Sequence, residues 1–239
     1  MCGRNQNRAA VSKSEYARRY AVFILGLYIL GLGIAMIIHT GIGTSPTSSW
    51  AYVMSLNTPW SVGTYSFIIN LVFIALQCLV LYNHGLRKEA VNILLQLPFS
   101  WLFGMFIDIN LVWVSRIPLT NYAEQFLFML LGIVVQAVGV LLEVRPGVSM
   151  LSMEALLNYV SIRWNLNFGK LKIWCDCSIV ALGLIFAVGF ALWRDGDVLD
   201  AIFTAAREGT VITALLCGWL VARWSHMTDR LERWMKDGK

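Results

Sequence analysis

Charge is scarce in this chain. Asp, Glu, Lys and Arg make up only 14% of its 239 residues, against 58% hydrophobic residues and a mean hydropathy of +0.65. That balance excludes an ordinary soluble domain of this length, where about a quarter of residues are charged. The five cysteines (Cys2, Cys78, Cys175, Cys177, Cys217) are scattered and mostly inside apolar stretches, so no disulfide framework is expected. The Cys175-Asp-Cys177 run has no convergent pair of histidines and reads as small apolar packing, not as a soft-metal site. Histidine is limited to His39, His84 and His226, far apart, and there is no G-x-S-x-G, H-E-x-x-H or P-loop. No catalytic set, metal site or cofactor is therefore expected, and the chain is not read as an enzyme. Period-2 alternation is also missing, which argues against a β-barrel.

Long apolar runs are what the chain does have. Six of them, 20–38, 62–82, 90–114, 125–142, 171–193 and 199–222, are long enough to cross a bilayer core of about 30 Å, which takes roughly 20 helical residues. The reading is an all-α integral membrane protein with six transmembrane helices. Arg18-Arg19 precede the first run and no small-residue cleavage site follows it, so it is expected to remain as a span and not to leave as a signal peptide.

The net charge of +5 is unevenly placed. Basic residues gather before the first span (1–19), around Arg87-Lys88, around Arg145, Arg163 and Lys170, and after the last span (223–239). The positive-inside rule then puts both termini in the cytoplasm. Because membrane topology accounts for these residues, no nucleic-acid partner is expected. Trp224, Met227, Leu231 and Trp234 share one helical stripe, so the tail 223–239 reads as an amphipathic helix on membrane lipid.

The chain also repeats itself. Shifted by 106 residues without a gap, 25–82 falls on 131–188, and Gly26, Gly33, Gly41 and Gly63 meet Gly132, Gly139, Gly147 and Gly169. This divides the membrane portion into a first repeat, 20–116, and a second, 117–222. In each, a broken segment follows the first span, and a short stretch follows the break: 45–56 and 150–162. At roughly 12 residues and 1.5 Å per residue these reach about 18 Å, too short to cross. They are expected to be re-entrant or interfacial half-helices. Three crossings per repeat force the second copy upside down, giving two inverted three-helix repeats. The glycine pairs seven apart in the first and fourth spans suit close helix packing, either within the chain or in a homodimer.

Interrupted segments at matching places in two halves point to a binding site at the repeat interface. In Gly41-Ile-Gly-Thr-Ser-Pro46, Thr44 or Ser45 can cap a helix whose first turn holds Pro46, and Gly41 and Gly43 leave backbone donors open. In the second break Arg145, Gly147 and Ser149 take the corresponding role, with Ser152 and Glu154 following. The alternatives are a surface loop with a helix cap for the first break and a positive-inside residue for Arg145. Ionisable residues inside spans are costly and so informative. Asp176 aligns with Asn70, and Glu208 and Asp108 lie in the last and third spans. Asn70, Asp176 and Glu208 are the coupling or counter-ion candidates, with static ion pairing as the alternative. The expected activity is transport of a small polar or anionic solute or an ion. The alternatives are a non-transporting receptor or assembly subunit, an intramembrane enzyme, and a channel.

Gly31-Leu-Gly-Ile-Ala35 leading into Gly41-Ile-Gly-Thr-Ser-Pro46, then Ser61-Val-Gly-Thr64, resembles the YczE/YyaS/YitT family of bacterial multi-span membrane proteins. The late Glu208-Gly-Thr-Val-Ile-Thr-Ala-Leu-Leu-Cys-Gly218 is similar to that family's Gly-Thr-rich final span. The resemblance covers 20–222. It implies a transporter-like protein of the bacterial inner membrane and supplies neither a substrate nor catalytic residues. Glu208 departs from it, standing where a small or apolar residue is expected.

Overall fold

The structure is a computed structural model describing residues 13–82, 86–194, 197–205 and 207–224. His84, His226 and the tail beyond Trp224 lie outside the described residues. Within them the regular structure is helical: α1 Lys13–His39, a 3₁₀ turn Pro46–Ser48 leading into α2 Ser49–Asn57, α3 Val62–Leu81, α4 Leu86–Val114, α5 Tyr122–Val144, α6 Ser152–Trp164, α7 Phe168–Trp193, α8 Val198–Ala205 and α9 Glu208–Trp224. Six segments are long and apolar enough to cross a membrane. They match the six runs read from the sequence, with one difference. The last run is two helices, α8 and α9, with Arg207 non-helical between them. The short stretches form α2 and α6, about 14 and 20 Å long at 1.5 Å per residue.

Local chemistry sets the helix boundaries. The Ser61 hydroxyl accepts from Thr64 N–H at 3.1 Å to cap α3, and Asn167 Oδ1 accepts from Lys170 N–H at 3.2 Å to cap α7. At the α5 start, Glu124 reaches back to the N–H groups of Thr120 and Asn121. The end of α1 passes into Gly41 (φ +66°) and the end of α5 into Gly147 (φ +62°). This left-handed conformation closes helices and costs glycine no Cβ clash.

Glycine also brings α1 and α5 together. A Cβ on Gly26 would lie 2.6 Å from the Glu143 nitrogen, and one on Gly33 would overlap the Gln136 backbone. From α5, a Cβ on Gly139 would strike Leu30, and one on Gly132 would lie 3.0 Å from Ile37 and Met36. Advancing along α1 from Gly26 to Gly33 moves the partner back from Glu143 to Gln136, so the two helices are antiparallel and in backbone contact. The expected close packing is therefore internal to the chain. Around this pair, Phe23, Leu27, Leu30 and Ile34 of α1 pack with Phe103 and Ile107 of α4, and Ile37 packs with Met129, Ile133 and Ala137 of α5. Large apolar side chains such as Trp101, Trp174, Ile185, Leu215 and Trp219 point outward from α4, α7 and α9, as lipid contact requires.

Two hydrogen bonds relate the helix ends to one another. Arg19 of α1 donates to Pro146 O after α5 at 3.3 Å, so the start of α1 lies beside the second break. His39 meets Ile117 O at 2.8 Å, joining the end of α1 to the α4–α5 connection at the other end of the bundle. The short helices start deep and end near a surface. Ser49 opens α2 beside Gly183, ten residues (about 15 Å) before the end of α7, while Asn57 meets Arg194 just beyond that end. Ser152 opens α6 beside Gln77 and Ser100, while Arg163 reaches Val80 at the end of α3.

Candidate functional site: a cavity between the two halves

Both broken segments open onto one cavity of about 330 Å³. The first contributes Pro46, Thr47 and Ser48; the second contributes Leu151, Met153 and Glu154. The long helices complete the wall with Leu30 and Ile34 (α1), Ser66, Asn70 and Phe73 (α3), Phe103 and Ile107 (α4), Gln136, Val140 and Glu143 (α5), Lys172 and Asp176 (α7), and Thr213 and Cys217 (α9). A volume near the lower end of the usual 300–1,000 Å³ range for ligand pockets suits a small molecule.

The 106-residue shift pairs lining residues of the first half with lining residues of the second. Leu30 answers Gln136, Ser48 answers Glu154, Ser66 answers Lys172, Asn70 answers Asp176 and Ile107 answers Thr213. In each pair the first half supplies the less polar or the neutral member. All the charge comes from the second half: Glu143, Glu154, Lys172 and Asp176.

These groups are held from distinct elements. Lys172 Nζ lies 3.5 Å from Asp176 Oδ1 one turn along α7 and 3.6 Å from Glu154 Oε1 on α6. Glu143, 2% exposed, accepts from Leu151 N–H at 3.1 Å, tying the end of α5 to the start of α6. Gln77 fixes the same start from the other side. Its Nε2 donates to Ser152 O and to Gln96 Oε1, both at 2.8 Å, and Gln96 Nε2 donates back at 3.0 Å. Two other buried wall atoms, Gln136 Oε1 and Thr213 Oγ1, have no hydrogen-bond partner among the described residues. An unpaired buried acceptor costs about 1–3 kcal/mol, so both atoms are open to a partner, water or solute, in the cavity.

Of the residues singled out from the sequence, Asn70 and Asp176 line the cavity together, and Ser48, Ser152's neighbour Met153 and Glu154 bring both breaks to it. The others stand around it. Gly41 and Gly147 terminate α1 and α5. Gly43 is pressed against Gly209 and Thr210, and Thr44 N–H donates to Thr210 Oγ1 at 3.1 Å, closing the first break against α9. Ser45 occupies the N-cap position before Pro46, but its hydroxyl pairs with Ser48 and Thr47 hydroxyls at 2.8 and 3.1 Å, leaving the backbone donors to others. Arg145 is the C-cap of α5 and Ser149 sits half-buried in the extended segment before α6. Glu208 opens α9 half-exposed, 4.0 Å from Arg207 and 3.4 Å from the Tyr122 hydroxyl. Asp108 caps α3, accepting from Gly63 N–H at 2.8 Å and the Ser61 hydroxyl at 2.6 Å. Gln136, Glu143, Lys172 and Thr213 were not among the expected site residues. The signal for them was available: each breaks the repeat by placing a polar or charged residue opposite Leu30, Ile37, Ser66 or Ile107.

Residues 17–226 match the profile of the Family of unknown function (DUF6198). The chain belongs to that family. It is also 25% identical over 217 residues to the uncharacterized membrane protein YczE of Bacillus subtilis (strain 168), covering 89% of this chain and 87% of the relative. The resemblance read from the glycine motifs holds: this is a YczE-like, multi-span membrane protein. No solved structure matches it.

Proposed function

We propose that the protein is a transporter of a small polar solute, built from two inverted repeats that alternate access to the cavity between them. The observation that carries this is the meeting of both broken segments on one cavity lined by residues of both halves. Transporters place their sites at such an interface, with interrupted segments from each half facing each other. The inversion is supported by the α1–α5 contact, which is its own image under the repeat. The pair Gly26–Glu143 maps to Gly132–Ile37, and Gly33–Gln136 maps to Gly139–Leu30; both image pairs are in contact. Equivalent helices that cross antiparallel need a two-fold axis lying in the membrane plane.

We place the protein in the bacterial inner membrane with both ends in the cytoplasm, on the basic clusters and the bacterial relative. A catalytic reading finds less support, because Asp108, Asp176, Glu208 and His39 engage separate partners. Glu154 and Asp176 stand against the single ammonium of Lys172 on the wall, which favours a neutral or cationic solute over the anionic one the sequence left open.

Cys217 on the cavity wall provides a test. A variant keeping it as the sole cysteine is treated with a membrane-impermeant thiol reagent in right-side-out and in inside-out vesicles. Transport with alternating access predicts modification in both preparations. Modification from one side alone, or from neither, overturns the reading in favour of a receptor or a static subunit.

A further inference from the structure

We propose that the cavity takes a small organic monocation, a protonated amine or quaternary ammonium, and that Lys172 is a tethered stand-in for it. The proposal deepens the transport reading and rests on it in treating the cavity as a ligand site. Lys172 Nζ lies between two carboxylates from different elements, 3.6 Å from Glu154 and 3.5 Å from Asp176. That is the position in which the ammonium group of a ligand would be held. Two carboxylates in a partly buried site need a compensating cation, because an unpaired charge there is strongly unfavourable. A ligand bringing one positive charge can replace Lys172 without changing the charge of the site; a neutral ligand or an anion cannot.

A second observation points the same way. Gln136 and Thr213 are 7% and 0% exposed, they line the same cavity, and Gln136 Oε1 and Thr213 Oγ1 lack partners among the described residues. The Gln136 oxygen only accepts and the Thr213 hydroxyl can accept, which suits the N–H of a protonated amine or the hydroxyl of a choline-like ion. The Phe73 and Phe103 rings on the same wall give the alkyl part of an ammonium ion an apolar surface with a negative face. Lys172 is able to leave. Its side chain is one-third exposed and sits on a flexible four-carbon stem. Its departure would also undo the bridge from α7 to α6, so cation entry is coupled to release of the second half-helix.

The test uses the purified full chain in detergent. Its melting midpoint is followed against methylammonium, tetramethylammonium and choline, against 3,3-dimethylbutan-1-ol as the neutral isostere of choline, and against acetate. The expected result is saturable stabilisation by at least one ammonium probe and by neither the alcohol nor acetate. Glu154→Gln and Asp176→Asn should each weaken that binding about tenfold or more, and Lys172→Met should tighten it by about tenfold, since the competitor is gone. Lys172→Arg, which retains a competing cation, should bind the ammonium probe no more tightly than the unmodified chain, and it serves as the second variant should Lys172→Met fold poorly. The proposal is overturned if acetate stabilises and Lys172→Met abolishes its effect, if ammonium binding is unchanged by both carboxylate substitutions, or if no ammonium probe stabilises. Two-sided modification of Cys217 does not depend on charge, so a failed cation test leaves the transport reading to stand or fall separately.

Discussion

Gln77 anchors the second break more directly than any charged residue does. One fully buried amide satisfies Gln96 and the Ser152 carbonyl at the mouth of α6. Gln77→Leu would strand both partners in a low-dielectric interior. The expected outcome is a loss of about 1–2 kcal/mol, read as a lower melting midpoint in detergent. Gln96→Leu added to Gln77→Leu should cost less than the two single losses combined, because the pair share a reciprocal bond. At this scale the sequence was half legible. Asn70 and Asp176 stood out because they occupy equivalent positions and one is ionisable. Glu143 and Lys172 were legible only as mismatches of the repeat, opposite Ile37 and Ser66, since nothing in the linear order says that α5 and α7 turn those faces to the same space. Glu208 and Asp108 drew notice for the same physical reason as Asp176, the cost of charge in lipid, yet one is half-exposed at the start of α9 and the other caps α3. Intramembrane acids are conspicuous whatever their role.

Among elements, the α1–α5 pair is where small residues decide the packing. A Cβ at Gly33 would land on the Gln136 backbone, which has no flexible side chain to move aside. Gly33→Val is expected to force the helices apart and cost roughly 1–3 kcal/mol, checked by thermal melting. Gly189→Ala, where an added Cβ meets nothing within 4 Å, should be neutral or mildly stabilising through helix propensity. The spans and the two short helices could be read from apolar length and glycine punctuation, because those signals are local. The split between α8 and α9 could not, since Arg207-Glu208 in an apolar run is equally compatible with a kinked or an unbroken helix. The first break was legible as a helix start at Pro46. The partner of each hydroxyl was not: Ser45 turns to Thr47 and Ser48, while Thr210 accepts from the Thr44 N–H across the chain.

For the whole molecule, the proposed symmetry and the observed asymmetry divide the work. Matched glycines, matched helix caps at Ser61 and Asn167, and matched left-handed closures at Gly41 and Gly147 build equivalent scaffolds. The mismatched positions, less polar in the first half and polar or ionisable in the second, face the shared cavity. Inversion of the two halves underlies this whole account. Trp60 and Leu166 are equivalent under the 106-residue shift, and both are exposed, each just before a second span of its half. In a background without other cysteines, Trp60→Cys and Leu166→Cys are labelled with a membrane-impermeant reagent on intact cells and again after permeabilisation. With inverted halves, Trp60→Cys reacts on intact cells and Leu166→Cys only after permeabilisation. Labelling of both from the same side would contradict that arrangement.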